Sequence, residues 1–237
     1  MDRDSDKTWA ADEVLQALRR VAVRNRSVSK AVLFGSRARG DANPASDYDI
    51  AVMLNDAAAE PAVREELEEL PTLNKIDAVF LKQRHLGTPF YSNIMREGKV
   101  IVDKFGIKLE NFQKALARLR EGIGETEQSE SLTLRDGCIQ RFEFTAELAW
   151  KAAREYLLQQ GLQDINSPKP VMREAFHNGL VSDEQGWLQL LQDRNLTSHL
   201  YDEQEADEIF LRIKQQHLLL LTALVAVLAA KTGKDED

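Results

Sequence analysis

Three aspartates and one glycine–serine pair are the residues of this 237-residue chain best suited to chemistry. Ser46-Asp47-Tyr48-Asp49 opens an apolar run, Ile50 to Leu54, that reads as a strand. Residues two apart on a strand project to one face, so Asp47 and Asp49 stand side by side. Two such carboxylates repel unless a cation sits between them, and Mg²⁺ takes oxygen ligands from carboxylates and substrate phosphates. A third carboxylate, Asp77, interrupts another apolar strand, Ile76 to Leu81. Upstream, Phe34-Gly35-Ser36-Arg37-Ala38-Arg39-Gly40 reads as a strand-to-helix turn. Glycine lets the backbone approach a ligand, the amides of a new helix favour phosphate, and Ser36 adds a hydroxyl. Taken singly, each feature is ordinary: a turn, a solvated strand end, a charge guarding a sheet edge. Together, on successive strands of one small sheet, they point to phosphate chemistry assisted by a cation.

A second polar cluster lies far downstream, in Asp193-Arg194-Asn195-Leu196-Thr197-Ser198-His199-Leu200-Tyr201. On a helix Arg194 and Tyr201, seven apart, share a face, with His199 between them near the helix end. Histidine transfers protons near neutral pH, and arginine stabilises a charged phosphorane. That pair suffices for metal-independent RNA cleavage through the RNA's own 2′-hydroxyl, although an Arg and a His near a helix end are commonplace. His85, His177 and His217 are scattered without metal-ligand spacing and read as structural or surface residues. Phe142, Phe144, Leu148 and Trp150 read as bundle core, with a nucleotide-stacking face as the other use. The run Glu65-Glu66-Leu67-Glu68-Glu69 reads as a solvated helix face.

The elements that must position these residues differ between the two halves. Up to about Phe105, short β-branched runs (Ala31–Phe34, Tyr48–Leu54, Ile76–Leu81, Val100–Val102) alternate with helical patterns. The first helix, Ala10 to Arg24, carries Val14, Leu15, Leu18, Val21 and Ala22 at helical spacing. After Gly106 the strand signals stop. Helices are expected over Leu109–Leu119, Leu132–Gln160 and Ser167–Gly179, and from about Asp183 and Asp202, with a polar hinge at Gly122 to Glu130. The expectation is an α+β chain: a small mixed-sheet domain over residues 1–105, then an all-α helical bundle over 106–237.

A formal charge of -8 argues against a protein that grips nucleic acid non-specifically, so no DNA partner is expected. Cys138, the single cysteine, excludes an intrachain disulfide and a cysteine-cluster metal site, which fits a reducing cytoplasm. The acidic start, Met1 to Asp6, does not read as a signal peptide. Leu218–Ala230 is apolar throughout but shorter than the roughly 20 residues a bilayer needs. A buried terminal helix, and no membrane, is the expectation.

Gly35-Ser36, the ten-residue spacing, and Asp47-Tyr48-Asp49-Ile50 resemble the signature of the polymerase-β-like nucleotidyltransferase superfamily. The compact Gly-Ser-Arg-Ala-Arg-Gly form is similar to its minimal prokaryotic members, over about Ser29 to Asp103. The resemblance implies that Asp47 and Asp49 hold two Mg²⁺ ions. It implies that Asp77 completes the metal site and orients or deprotonates an acceptor hydroxyl. Gly35 and Ser36 would hold the triphosphate of ATP, with Arg37 and Arg39 as phosphate partners. Arg194-x4-His199-x-Tyr201, with Leu134 through Phe142-Glu143-Phe144 and Ala149-Trp150-Lys151 to about Ile213, resembles HEPN-type nucleotidyltransferase substrate-binding domains. In toxin–antitoxin pairs of this kind the HEPN member is a dimeric RNase, silenced when its partner adds AMP to the motif tyrosine. The resemblance therefore implies a homodimer through the helical domain, RNA at Arg194 and His199, and Tyr201 as AMP acceptor in cis or between protomers. Antibiotic nucleotidyltransferases also join such a domain to a helical one. A small-molecule acceptor, with the bundle as a substrate-binding and dimerisation module, stays open.

Overall fold

The structure, a computed structural model, describes residues 12–85, 87–127, 131–197 and 202–232. The chain forms two compact units that divide between Lys104 and Phe105, with the short segment Gln159–Gln163 also counted in the first.

The first unit begins with α1 (Glu13–Arg24) and β1 (Val28–Phe34), then a short helix α2 (Gly35–Arg39) and β2 (Tyr48–Leu54). It continues through α3 (Glu60–Glu68), β3 (Ile76–Leu81), α4 (Pro89–Glu97) and β4 (Lys99–Asp103). Asp12 caps α1, its carboxylate accepting from the Val14 and Leu15 amides at 3.0 Å each. The sheet order is β3-β2-β1-β4, with β1 antiparallel to both neighbours and β2 parallel to β3. Strand alternation sends Leu33, Tyr48, Ile50, Val52 and Phe80 into one core with Leu15 and Leu18 of α1 and Val63 and Leu67 of α3. On the opposite face Val32, Ala51 and Leu81 meet Tyr91 and Ile94 of α4 in a smaller cluster. Asp49 and Asp77 share that second face by register, beyond the reach of its apolar packing.

The second unit is built of helices joined by loops, with no strand among its described residues: α5 (Lys104–Thr126), α6 (Leu132–Gln159), α7 (Pro168–His177), α8 (Glu184–Leu196) and α9 (Glu203–Arg212). A π-helical turn, Ile213–His217, leads directly into α10 (Leu218–Thr232). Its core is a close-packed seam along α6, where Phe142, Ala146, Ala149, Ala152, Ala153 and Leu157 are fully enclosed. Four alanines in that seam allow neighbouring helices to approach, and Met172, Trp187, Leu190 and Ile209 are also fully enclosed.

Three expectations change. The break foreseen over Gly122 to Glu130 starts later than Gly122, because α5 runs unbroken from Lys104 to Thr126. Gly122 instead marks a tight helix contact: a Cβ there would lie 2.8 Å from Arg141 Nη1 and 3.0 Å from Cys138 Sγ. Phe144 is not core, being 63% exposed, since it falls on the outer face of α6 between the buried Phe142 and Ala146. The terminal helix is longer than its apolar run, continuing from Glu203 to Thr232, and by length and composition it could cross a membrane. Its buried positions, Ile209, Ile213, His217, Leu221, Leu224 and Leu228, form one stripe, the pattern of a helix packed on one side.

Candidate active site

The aspartate cluster is built by strand register. Asp49 in β2 pairs with Phe34 at the end of β1 on one side and with Asp77 of β3 on the other. Tyr48, between the two flanking aspartates, is buried and anchors the opposite face of the strand. Its hydroxyl donates to the Asp12 carboxylate at 2.9 Å. Burial, reinforced by that bond and by the Asp12 charge, pushes the phenol up to about 12. Asp47 lies one residue before β2 and is exposed, as is Asp77, whose Oδ2 is 3.6 Å from Lys75 Nζ.

Gly35 is where the cluster meets the turn. It has φ +70°, and a Cβ on it would collide with Asp49 Oδ2 and stand 2.9 Å from Asp49 Cγ. No other residue permits that carboxylate to lie against the backbone. Ser36 follows in the first turn of α2, its carbonyl accepting from the Gly40 and Asp41 amides at 2.9 and 3.1 Å.

The electrostatics of the cluster are those of a site short of positive charge. Partial burial raises the Asp49 carboxyl above the usual range, the Asp77 and Asp47 charges raise it further, and Arg39 and Lys75 work against them. A divalent cation would relieve this, and the donors are oxygen atoms, so the residues fit Mg²⁺. They do not form a closed cage: no group of three or more His, Cys, Asp or Glu among the described residues is arranged to hold a metal alone. Asp47, Asp49 and Asp77 stand at an open rim, where substrate phosphates could complete a metal's ligand set.

Arg37 reaches the backbone of the loop that precedes Asp47. Its Nε donates to the carbonyls of Ser46 and Asp47 at 3.1 and 3.2 Å, and its Nη2 donates to Ser46 O at 2.7 Å. The guanidinium carbon lies 3.8 Å from the centre of the Tyr48 ring. Through these bonds Arg37 holds the loop before Asp47. Asn74, unnoticed in the sequence, assists by donating to Pro44 O at 2.7 Å. Arg39 stays half-exposed beside Asp41, its Nε 3.4 Å from Oδ2, and its charge acts on Asp49.

In the helical unit Arg194, in the last turn of α8, pairs through Nη2 with Glu147 Oε2 of α6 at 3.0 Å. Nη1 donates to Asn195 Oδ1 at 3.1 Å, while Nε is buried with no partner among the described residues. Glu147 also accepts from Trp150 Nε1 at 2.9 Å and from Lys151 Nζ at 2.7 Å. Burial opposes, but the Lys151 and Trp150 hydrogen bonds outweigh it and hold the Glu147 carboxyl below its usual range. Glu147 escaped the sequence reading because it meets Arg194 across 47 residues, with no local spacing to announce it. His199 and Tyr201 lie outside the described residues.

Asp193, next to Arg194, is fully buried. It accepts from Arg212 Nε at 2.7 Å and Gln189 Nε2 at 3.0 Å, and His217 Nε2 lies 2.7 Å from its Oδ2. Burial alone would raise this acid, but hydrogen bonds from His217, Arg212 and Gln189 outweigh it and hold the acid at about 2. His217 stacks on Phe142, with ring centres 5.3 Å apart, so its role is structural.

Comparison with known proteins follows the same division. A family model described as polymerase beta, nucleotidyltransferase matches residues 16–105. Another, described as nucleotidyltransferase substrate binding protein like, matches residues 107–230, more than half the chain. A Haemophilus influenzae protein named probable ribonuclease HepT is 38% identical over 85 residues, covering 34% of this chain and 58% of that relative. A solved protein from Thermus thermophilus matches at 38% identity and TM-score 0.44, over 49% of this chain and 98% of its own. A second solved structure, from Haemophilus influenzae, is described as revealing the fold of a substrate binding domain of a nucleotidyltransferase. It matches at 29% identity and TM-score 0.47, over 51% of this chain and 98% of its own. By its family matches, the chain belongs to the nucleotidyltransferase substrate-binding protein-like family, and carries ahead of that domain a polymerase-β-type nucleotidyltransferase domain.

Proposed function

We propose that the chain is an Mg²⁺-dependent adenylyltransferase, and that the acceptor is Tyr201 of its own or a partner copy's helical domain. The observation that supports this most is the contact of Gly35 with Asp49, beside Asp77 in register. It is an arrangement that only glycine permits at φ +70° and that crowds like charge, neither of which packing alone requires. Asp47 and Asp49 would hold the metal, which when bound neutralises charge on the transferring phosphate. Gly35 and Ser36 bind the triphosphate, and Arg37 keeps the Asp47 loop in place. Asp77, exposed at the rim, orients the acceptor hydroxyl and receives its proton. The hydroxyl oxygen bonds to the α-phosphorus, the bond to the bridging oxygen breaks, and pyrophosphate leaves.

Addition of AMP to Tyr201 then governs an RNase site at Arg194 and His199, in a toxin–antitoxin-like relation held within one cytoplasmic polypeptide. AMP on Tyr201 adds a phosphodiester charge and an adenosine to the Arg194-x4-His199-x-Tyr201 motif, and so obstructs an RNA strand that the motif would otherwise take. The test is intact mass after incubation with ATP and Mg²⁺, with Asp47→Ala/Asp49→Ala as control. AMP-sized increments absent from the control, and absent from Tyr201→Phe, are the expected result. Increments retained at full rate in Tyr201→Phe exclude that acceptor. No increments, with pyrophosphate release on adding an aminoglycoside, point to a small-molecule acceptor.

A further inference from the structure

A cleft of about 460 Å³ opens in the helical unit beside Arg194. Trp150 of α6 forms one wall, Pro168, Lys169 and Pro170 at the start of α7 another, and Arg194 and Asn195 of α8 the rim. Its volume falls in the range of small-molecule sites. Trp150 is only half-buried, and its indole N–H is fixed by Glu147 at 2.9 Å, which sets the ring plane. The two prolines facing the cleft offer no N–H groups and hold their backbone stiffly, giving an apolar wall. Around these surfaces the charge is cationic. Lys169 and Arg194 line the cleft and Lys151 Nζ lies 5.7 Å from the Trp150 ring centre, against the single carboxylate of Glu147. Lys169 is exposed.

An apolar ligand would leave those cations unused, and a bare anion would leave the indole face unused. A nucleotide uses both, with a base that stacks, a phosphate for lysine or arginine, and a base edge for the Asn195 amide. A base reaches such a pocket only when it is out of a duplex, so the strand must be single. We propose that this cleft is a base-binding subsite, in which one nucleotide of a single-stranded RNA stacks on Trp150 while its phosphate meets Lys169 and Arg194. The proposal rests on the reading of Arg194 as part of an RNase site, and names how that site takes its substrate.

The test is binding of a fluorescein-labelled 2′-O-methyl hexaribonucleotide, which cannot be cleaved through its 2′-hydroxyl, to the full chain by anisotropy. Trp150→Ala weakens binding about tenfold, and Trp150→Phe keeps most of it. Lys169→Ala weakens it less, by a factor that shrinks as salt is raised. Thermal unfolding shows that each variant folds. Wild-type affinity in Trp150→Ala overturns the subsite; loss of affinity in Arg194→Ala alone would then leave the RNase reading standing. No binding of the oligonucleotide to the wild-type chain overturns both. Quenching of tryptophan by AMP but not by the oligonucleotide overturns the RNA occupant, and assigns the cleft to the adenylyl group instead.

Discussion

The two units of this chain set up their polar centres by opposite means. At the sheet end, backbone geometry does the placing: β2–β3 register puts Asp49 beside Asp77, and Gly35 lets the Asp49 carboxylate lie on the turn. Around Arg194, side chains from separate helices hold one another: Glu147 ties Arg194, Trp150 and Lys151, while Asp193 ties Arg212, Gln189 and His217. The first device is short-range and unforgiving, since a single methyl group disrupts it. The second is long-range and shared, so each member is separately replaceable at a graded cost.

The comparison breaks most sharply at Gly35. Gly35→Ala adds a Cβ that meets Asp49 Oδ2 and forces an alanine to φ +70°. Nucleotidyl transfer should fall by at least about a thousandfold, near 4 kcal/mol of barrier, with retained helical circular dichroism. If ATP turnover survives within tenfold, backbone placement of Asp49 is not what the site depends on.

Next in size is Asp193→Ala, which strips a fully buried carboxylate from Arg212 and His217. Breaking one side of a buried pair costs roughly 3–5 kcal/mol, read by urea unfolding. Asp193 also predicts a pH dependence. Its folded value is depressed to about 2 from 3.8, so its contribution is fully present above pH 3.8 and is lost as pH falls through about 2. That contribution is on the order of 2 kcal/mol. The stability difference between wild type and Asp193→Asn should therefore narrow between pH 4 and pH 2. A difference independent of pH in that window contradicts the assignment.

Arg37 sharpens the comparison, because it is a side-chain clamp within the backbone-built site. Arg37→Ala should lower transfer about tenfold by releasing the Asp47 loop. Arg37→Lys should not restore it, since an ammonium cannot span the Ser46 and Asp47 carbonyls while stacking on Tyr48. An effect confined to KM for ATP, fully rescued by lysine, would instead make Arg37 a phosphate partner. The smallest effect belongs to Phe144→Ser, on the exposed face of α6. It should change stability by less than about 0.5 kcal/mol, whereas Phe142→Ala should cost roughly 3–5 kcal/mol.

Most of the first unit was legible in the sequence. The alternation through Tyr48–Leu54 and Ile76–Leu81 placed both strands at their observed bounds and placed Asp49 with Ala51 and Met53 on one face. The extent of α5 was not legible, because the polar stretch from Gly122 to Glu130 read as a hinge while close packing of Gly122 against α6 carries the helix on to Thr126. The use of Arg37 was not legible either. An arginine near a glycine turn is compatible with a phosphate, and only the fold brings Ser46 O and the Tyr48 ring within its reach.

What the sequence alone determined is what depends on local period and local backbone freedom: the strands, most of the helices, the glycine turn, and the aspartates that share a face. Period-two alternation and the φ range of glycine act within a few residues, so a reader of the chain sees them directly. What only the tertiary structure decided is which groups meet across long separations: Asn74 with Pro44, Glu147 with Arg194, Asp193 with Arg212 and His217, and Trp150 with the prolines of α7. Those pairings come from the packing of whole helices and strands, where burial makes an unmatched charge costly and so selects its partner. No spacing in the sequence encodes that selection.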